Sequence, residues 1–424
     1  MSKIEISTPA IAAWIGIDWA DQTHVYALEV SGSEKIETGQ LQQTPEAIHQ
    51  WAQQLEQRFA GQPVAIALEQ SRGALIFALM AHPFLLIYPV NPHAMAQYRK
   101  AFKVSGAKSD EADARLQLDF LLKHRDQLRL WQPDTVETRL LRLLCEDRRQ
   151  AVDQRTALHN QLTSQLKICF PQALDWIQSW DYPLACAFLK RWPSLHSLQS
   201  SKTNTLRRFL AQQGCRKLQR YEPLIAQIRS SQPLTTDQAL LQAGLMKVTW
   251  LVDQIRCLTE AIENYNQQIS QLFSQHPDHD LFCSLPGAGP ALGPRLLCAL
   301  GTDRSRFQDA QEVQTLFGIA PVMQSSGQSR WVHWRWACPK FIRQTFHEFA
   351  GASIPLCPWA AAFYQKMRSR GKRHHAAVRA LAFKWIRIIY ACWKNRTPYS
   401  ESQYLTALEK RQQPLLAATA VHAR

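Results

Sequence analysis

The fold is decided by two stretches, Trp14-Ile15-Gly16-Ile17-Asp18 and Val64-Ala65-Ile66-Ala67-Leu68-Glu69. Each is a short apolar run that ends at a carboxylate, which is typical of a buried strand. Around them, further strands are expected at His24–Val30, Lys35–Thr38 and Leu85–Tyr88, and helices at Thr44–Phe59 and near Ala74. Three strands of antiparallel type followed by βα units predict a mixed sheet of the α/β class.

The middle of the chain, from about Pro133 to Pro277, has the pattern of long helices. Seven apolar residues recur there in alternating steps of four and three, namely Leu251, Ile255, Leu258, Ile262, Tyr265, Ile269 and Leu272. This heptad seam fits a dimerising coiled-coil arm and an internal antiparallel helix pair equally well. The stretch from about Asp175 to Thr249 carries no motif and has no assigned role.

Composition limits the class of protein. The 424 residues predict two or three domains, and the net charge of +15 favours a polyanionic partner, with nucleic acid first. Between Val313 and Ser400 the only acid is Glu348. No apolar run is long enough for a membrane span and no export signal begins the chain, so a soluble cytoplasmic protein is expected. The ten cysteines form no CxxC pair, which argues against a zinc site.

Four carboxylates are candidate metal ligands. Asp18 and Glu69 end apolar strands, whose carboxyl ends lie side by side if the strands are neighbours. Asp110 and Asp113 stand three apart in Lys108–Ala114 (KSDEADA) and therefore share a helix face. Such a set can hold two divalent cations for phosphodiester chemistry, and Mg²⁺ suits an all-oxygen site. Taken singly, each could be an ordinary turn, surface or first-turn helix acid.

The last third of the chain offers candidate nucleic-acid contacts. The turn Leu285–Pro290 (LPGAGP) precedes a helix ending near Ala299, so the backbone N–H groups around Gly287 and Gly289 could meet a phosphate, although a plain helix start has the same composition. Basic residues that could contact phosphates are Arg330, Arg335, Lys366, Arg368, Arg370, Lys372 and Arg373. The last five precede an expected helix at Ala376–Lys394, with a break at Gly371.

Ser326 precedes Gly327 in a stretch, Phe317–Arg330, that is expected to be a loop. On local chemistry alone it is an ordinary polar turn, since a serine hydroxyl needs a base or a metal to attack. The following run Trp331–Trp336 (WVHWRW) could stack on bases or form a strand with buried tryptophans.

These landmarks, in this order, resemble one family, the insertion-sequence transposases that join a RuvC-like DEDD domain to a C-terminal serine domain, the bridge-RNA-guided recombinases. The matching motifs are Gly16–Asp18, Ala67–Glu69, Lys108–Ala114, Leu285–Pro290, Gly318–Pro321 and Gln324–Gly327. The resemblance implies an RNase H/RuvC-like mixed sheet (10–125), a helical coiled-coil linker (126–277), a mainly α-helical serine domain (278–400) and a tail (401–424).

The resemblance also implies a mechanism. Asp18, Glu69, Asp110 and Asp113 would be the catalytic and metal-binding DEDD residues with Mg²⁺, and Ser326 would form a covalent bond to DNA, with Ser325 as a one-residue ambiguity. The implied partners are the DNA of the element ends and target, a structured guide RNA, and further copies of the chain in a dimer or tetramer. Two alternatives stay open: a RuvC-like structure-specific endonuclease that uses a metal-activated water, and a nucleic-acid-binding protein without catalysis.

Overall fold

A computed structural model describes residues 10–69, 73–102, 109–177, 182–213 and 221–410. Lys108, the side chain of Arg330 and the tail beyond residue 410 lie outside the described part. The chain divides into two compact units, Met1–Pro133 and Asp134–Arg424. Each is described by itself below.

A five-stranded sheet forms the centre of the first unit, in the order β3-β2-β1-β4-β5. Its strands are β1 (Ala13–Asp18), β2 (Thr23–Val30), β3 (Ile36–Gln42), β4 (Val64–Leu68) and β5 (Leu85–Pro89). The first three strands pair antiparallel, whereas β1, β4 and β5 run parallel. The predicted mixed sheet is confirmed, and β3 extends four residues past the prediction because it is a polar edge strand without an apolar run.

Helices cover both faces of this sheet. They are α1 (Pro45–Arg58), α2 (Ala74–Leu79), α3 (Pro92–Phe102) and α4 (Asp110–His124). Ile15 and Ile17 of β1 point into the core shared with α1 and α2. Alternate residues point to opposite faces of a strand, so Gly16 and Asp18 belong to the other face. Helices α3 and α4 cover that second face, as the packing of Met95 and Leu121 against β4 and β5 shows.

Gly16 allows α4 to lie directly on β1. A Cβ atom at this position would stand 2.3 Å from both the Ala114 carbonyl oxygen and the Leu118 backbone nitrogen. Only a residue without a side chain permits such an approach of two backbones. The first turn of α4 is thereby held close to the carboxyl end of β1.

Two long antiparallel helices, α5 (Val136–Cys169) and α11 (Gln238–Ser274), form an arm in the second unit. Near one end of the arm, Gly244 faces Cys169, and a Cβ atom added at Gly244 would lie 3.0 Å from the Cβ atom of Cys169. Near the other end, Arg148 Nε donates a hydrogen bond to Asn266 Oδ1 at 2.5 Å. The heptad seam of α11 therefore packs within the same chain, as the internal-pair alternative required.

Five short helices lie between the two arm helices in sequence: α6 (Gln172–Ile177), α7 (Tyr182–Arg191), α8 (Leu195–Gln199), α9 (Thr203–Gln212) and α10 (Glu222–Ser230). They share one hydrophobic core with α5 and α11, in which Phe188, Trp192 and Phe209 pack together. We call residues 172–237 the helical insert.

The rest of the second unit is mainly helical. It contains α12 (His279–Cys283), α13 (Gly289–Leu300), α14 (Ala310–Leu316), β6 (Val322–Ser326), β7 (Ser329–His333), α15 (Lys340–Ser353), α16 (Pro358–Ser369), α17 (His374–Asn395) and α18 (Glu401–Lys410). Its core is built around the buried rings of Trp359, Trp385 and Phe349. Within the described ranges, no helix combines the length and apolar character that crossing a bilayer requires.

Gly16→Ala tests the contact between α4 and β1. We expect the added methyl group to force the two backbones apart and to cost about 2 kcal/mol or more, because neither can yield like a flexible side chain. The measurement is the shift of the thermal unfolding transition. Gly351→Ala in α15 is the matched control, since its Cβ would meet nothing closer than 4.0 Å; equal melting temperatures for the two variants would contradict the proposed constraint.

Candidate active site

Asp18 and Glu69 stand at the same edge of the sheet. Strands β1 and β4 are parallel neighbours, and their last registered pair is Ile17 with Leu68. Asp18 and Glu69 come next on the two strands, and both follow the alternation onto the face covered by α3 and α4. The predicted adjacency of these two carboxylates is borne out by the sheet register.

The first turn of α4 adds two more acids. Ser109 caps the helix by accepting a hydrogen bond from the Ala112 backbone N–H at 3.3 Å. Asp110 is exposed, whereas Asp113 faces the sheet and is only 1% exposed. The three-residue spacing thus places one acid inside the structure and the other at its rim.

Arg99 of α3 bridges the two sets of acids. Its Nε donates to Asp113 Oδ1 at 2.8 Å, and its Nη2 lies 3.9 Å from Glu69 Oε1. A buried carboxylate needs a charge partner, and this guanidinium provides one for Asp113. The Arg99 guanidinium therefore links the acid at the end of β4 to the acid in the first turn of α4.

Tyr98, the neighbour of Arg99, fixes α3 against α4. Its hydroxyl donates to Asp119 Oδ2 at 2.6 Å. Burial and the Asp119 carboxylate raise the pKa of Tyr98 to about 12. Burial alone would raise the pKa of Asp119, but hydrogen bonds from Lys123 and Tyr98 lower it below its usual value. A phenol that keeps its proton holds this contact, and so the position of Arg99, across the neutral pH range.

The residues present fit a hard divalent cation. The second oxygen of Asp113, Oδ2, is buried without a hydrogen-bond partner in the described structure, which is the state expected of an oxygen reserved for a ligand. All the donors are carboxylates, the ligand type that Mg²⁺ prefers. As the side chains stand, with Arg99 between Glu69 and Asp113, no group of three or more His, Cys, Asp and Glu side chains among the described residues converges as a metal site.

Ser326 lies at the tip of a two-stranded hairpin, which corrects the expected loop. Strands β6 and β7 pair antiparallel, with Ser325 opposite Arg330 and Ser326 opposite Ser329. The connection is Gly327-Gln328, and Gly327 has a φ of 56°, as a two-residue hairpin turn with glycine first requires. Both serines are exposed, so the structure presents either hydroxyl to a substrate.

The two serines point to opposite faces of this hairpin because they are consecutive in a strand. By the same alternation and the register, Ser326 shares its face with Gln324, Trp331 and His333. The other face carries Met323 and Val332, which are 78% and 70% exposed. Trp331 is half exposed, so the alternative of a strand with buried tryptophans is wrong for this residue.

The base of the hairpin is anchored by Trp334. The Arg379 guanidinium lies 3.6 Å from the centre of its ring and that of Arg343 lies 4.7 Å away. Burial and the neighbouring Arg343 lower the pKa of Arg379. Arg335 is partly buried, and its Nε has no hydrogen-bond partner in the described part of the chain.

The other predicted nucleic-acid contacts fall into two groups. A Cβ at Gly287 would lie 2.8 Å from the backbone of Ala352, so this glycine is required for packing, whereas Gly289 has nothing within 4 Å. Lys366 and Arg368 lie in the last turn of α16, where Lys366 is partly buried and Arg368 is exposed, and the exposed Arg370, Lys372 and Arg373 lie in the loop before α17. Gly371 has a φ of 78° and forms the predicted break; α17 starts at His374, two residues before the expected start.

Comparisons with known proteins find two transposase domains. A model of the DEDD transposase of IS110 matches residues 15–171, and one described as the transposase of the IS116/IS110/IS902 family matches residues 279–365. The chain is a transposase that carries both of these domains. It is 26% identical to the mini-circle putative transposase for IS117 of Streptomyces coelicolor, over 94% of this chain and 98% of that protein. An uncharacterized protein of insertion element IS116 from Streptomyces clavuligerus is also 26% identical, over 95% and 99%.

A pilin gene-inverting protein of Moraxella bovis is 28% identical to this transposase over 35% of the chain and 48% of that protein. Transposases cut and rejoin DNA, so the alternative of a binding protein without catalysis is wrong. The matched segment 15–171 contains all four predicted carboxylates, and 279–365 contains Ser326.

The structure brings Asp18, Glu69 and Asp113 to one sheet edge of the transposase, with Asp110 at the rim. Ser326 belongs to the second unit. Sequence reasoning missed Arg99. Its only signal was a basic residue in the segment just before the KSDEADA motif, and nothing in the pattern indicated that it would face the acids.

Arg99→Gln tests whether Asp113 depends on this guanidinium. Removing one partner of a buried ion pair leaves an uncompensated charge, which costs about 3–5 kcal/mol when burial is complete. Because Arg99 is 26% exposed, we expect a loss of about 2 kcal/mol in unfolding experiments with a chelator present. Arg115→Gln is the control, because its pair with Glu111 is exposed on both sides. Equal losses for the two variants would contradict this role of Arg99.

Proposed function

We propose that this transposase cuts and rejoins DNA with two half-sites, a Mg²⁺-holding carboxylate cluster and the nucleophile Ser326. The main support for the carboxylate half-site is the position of Asp18 and Glu69. They end neighbouring parallel strands in register, on the same face of the sheet as the buried Asp113. We further propose that the sheet is the RNase H-like core of a RuvC-type domain. The strand order and the acids at the ends of β1 and β4 support this assignment.

Asp18, Glu69 and Asp113 would hold the cation, with Asp110 completing the set from the rim. Bound there, Mg²⁺ would supply a Lewis acid that polarises a phosphodiester oxygen. The chain's own part is to keep the acids together beforehand. Arg99 does so by neutralising Asp113 and approaching Glu69, and its side chain would turn toward solvent when the cluster takes up a cation.

The proposed covalent step uses the hairpin. The Ser326 Oγ forms a bond to phosphorus while the bond from phosphorus to one sugar oxygen breaks. The hydroxyl proton passes to solvent, and the sugar oxygen that leaves takes up a proton. A second sugar hydroxyl then attacks the same phosphorus and loses its proton, while the bond from phosphorus to Ser326 Oγ breaks and the serine oxygen takes up a proton. The strand is rejoined, and the number of phosphodiester bonds is unchanged.

Ser326 is the better nucleophile of the two serines on structural grounds. It shares a hairpin face with Trp331, whose half-exposed ring can stack on a base beside the scissile phosphate. Ser325 instead shares its face with the exposed apolar side chains of Met323 and Val332, and it lies opposite Arg330. The aromatic ring that can stack on a base therefore lies on the Ser326 face.

We also propose that the partners are the DNA of the element ends and target, a structured guide RNA, and further copies of the chain in a dimer or tetramer. The support is the acid-poor region from Val313 to Ser400 and the exposed loop between α16 and α17. Its lysines and arginines suit phosphate contacts without base recognition. The two half-sites make an assembly of several chains a natural arrangement for strand exchange.

Ser326→Ala should abolish strand exchange and the covalent protein–DNA adduct while leaving DNA affinity unchanged. The adduct is detected by denaturing electrophoresis with labelled DNA. Ser325→Ala is the matched control and should retain at least about a tenth of the activity, because its hydroxyl faces away. If the Ser326→Ala protein still forms the adduct, the serine assignment fails. Cut ends without any adduct in the unaltered protein would instead support an endonuclease that uses a metal-activated water.

Asp18→Asn tests the carboxylate cluster. It removes one charge with little change in size, so Mn²⁺ affinity measured by calorimetry should fall about tenfold or more, and DNA cleavage with it. Glu111→Gln is the control, since this neighbouring acid pairs with Arg115 on the exposed side of α4. Unchanged Mn²⁺ affinity in Asp18→Asn would exclude this residue as a ligand.

A further inference from the structure

The two family matches do not cover the helical insert. They span residues 15–171 and 279–365, and the insert lies between them. Its helices bury Phe188, Leu210 and Ile228 in a core shared with the arm. Residues 172–237 contain nine Lys and Arg against four Asp and Glu. The described helices of the insert therefore pack against the arm, the sequence of the insert is basic, and the proposed catalytic half-sites do not use it.

A cleft of about 500 Å³ opens between the insert and the arm. Helices α7, α9 and α11 form its walls. Three cations line it, namely Lys190, Arg191 and Arg256, together with Phe209, Thr259 and one acid, Glu260. A concave surface with an excess of one charge concentrates the electrostatic potential and attracts the opposite charge.

Two of the three cations are not neutralised within the described structure. Lys190 Nζ pairs with Asp253 Oδ2. Arg191 instead lies over two rings, 4.9 Å from the centre of Trp192 and 5.7 Å from that of Phe209. Among the described residues, neither Arg191 nor Arg256 has a carboxylate within 4.0 Å.

Contact with aromatic rings attracts a guanidinium without using its N–H groups. The donors of Arg191 therefore remain available, and a planar guanidinium suits bidentate contact with a phosphate. The exposed guanidinium of Arg256 lines the same cleft and Thr259 adds a hydroxyl. These groups match the anionic oxygens of a phosphodiester chain better than an apolar or cationic ligand.

We propose that this cleft is an additional nucleic-acid site that binds a phosphodiester backbone through Arg191 and Arg256. The site does not depend on the proposed serine and metal chemistry. Its proposed contribution is affinity through phosphate contacts, which do not depend on base sequence. Duplex DNA and folded RNA both present a phosphodiester backbone, and the test distinguishes between these two ligands.

The test uses the full chain carrying Arg191→Gln and Arg256→Gln together. Affinity is measured by fluorescence anisotropy with a labelled DNA duplex and with a labelled RNA hairpin, between about 50 and 200 mM salt. We expect affinity for at least one probe to fall about tenfold or more, and the slope of log affinity against log salt to shrink by about one to two. Loss of affinity for one probe alone shows whether the cleft binds DNA or RNA.

Arg207→Gln is the matched control. It removes an arginine of the same insert that Glu222 already neutralises through two hydrogen bonds of 2.9 Å. Arg256→Gln alone, which disturbs no stacking, covers the case in which the double variant unfolds, and should give about half of the slope change. Arg191→Lys with Arg256→Lys keeps both charges but loses the planar guanidinium groups, so it should restore the salt slope and only part of the affinity. Unchanged affinity and slope for both probes, or an equal loss in Arg207→Gln, would overturn the proposal.

Discussion

The direct contact of α4 with β1 at Gly16 is the constraint on which the proposed metal site depends. Two backbones meet there with no room for a Cβ atom, and the oxygen of Ala114 would be 2.3 Å from one. Because α4 is pinned at this point, its first turn is set beside the carboxyl end of β1. The parallel pairing of β1 with β4 then brings Glu69 next to Asp18. A methyl group added at Gly16 would disturb three acids at once.

Charge balance is the second condition of this arrangement. Acids collected on one face repel one another, and Asp113 is almost fully buried. Arg99 offsets that cost by donating to Asp113 and approaching Glu69. The same guanidinium stands where a cation would bind, so the cluster can be assembled before it is loaded. The serine hairpin is held differently. Ser326 is exposed at a turn, and the guanidinium groups of Arg343 and Arg379 around Trp334 hold the hairpin's base.

Features with a strong periodic signal could be predicted from the sequence, and features set by tertiary contacts could not. The apolar runs ending at Asp18 and Glu69 gave the sheet edge, because burial forces such a pattern on a central strand. The hairpin around Ser326 was expected to be a loop because β6 has exposed side chains on both faces. The strand alternative for Trp331–Trp336 overlaps β7 but assumed buried tryptophans, whereas Trp331 is half exposed. Arg99 was missed because its role arises only from how α3 lies against α4. The cleft of the helical insert joins residues more than sixty positions apart, such as Arg191 and Arg256, and no local pattern records that proximity.

The proposed metal site can be tested in a crystal of the full transposase soaked with Mn²⁺, with data recorded at a wavelength that locates the ion by its anomalous signal. We expect an Mn²⁺ peak within about 2.5 Å of carboxylate oxygens from Asp18, Glu69 and Asp113, with the Arg99 guanidinium turned away from Asp113. An Mn²⁺-saturated crystal with no peak at this sheet edge, and with Arg99 still donating to Asp113, would contradict the proposed site.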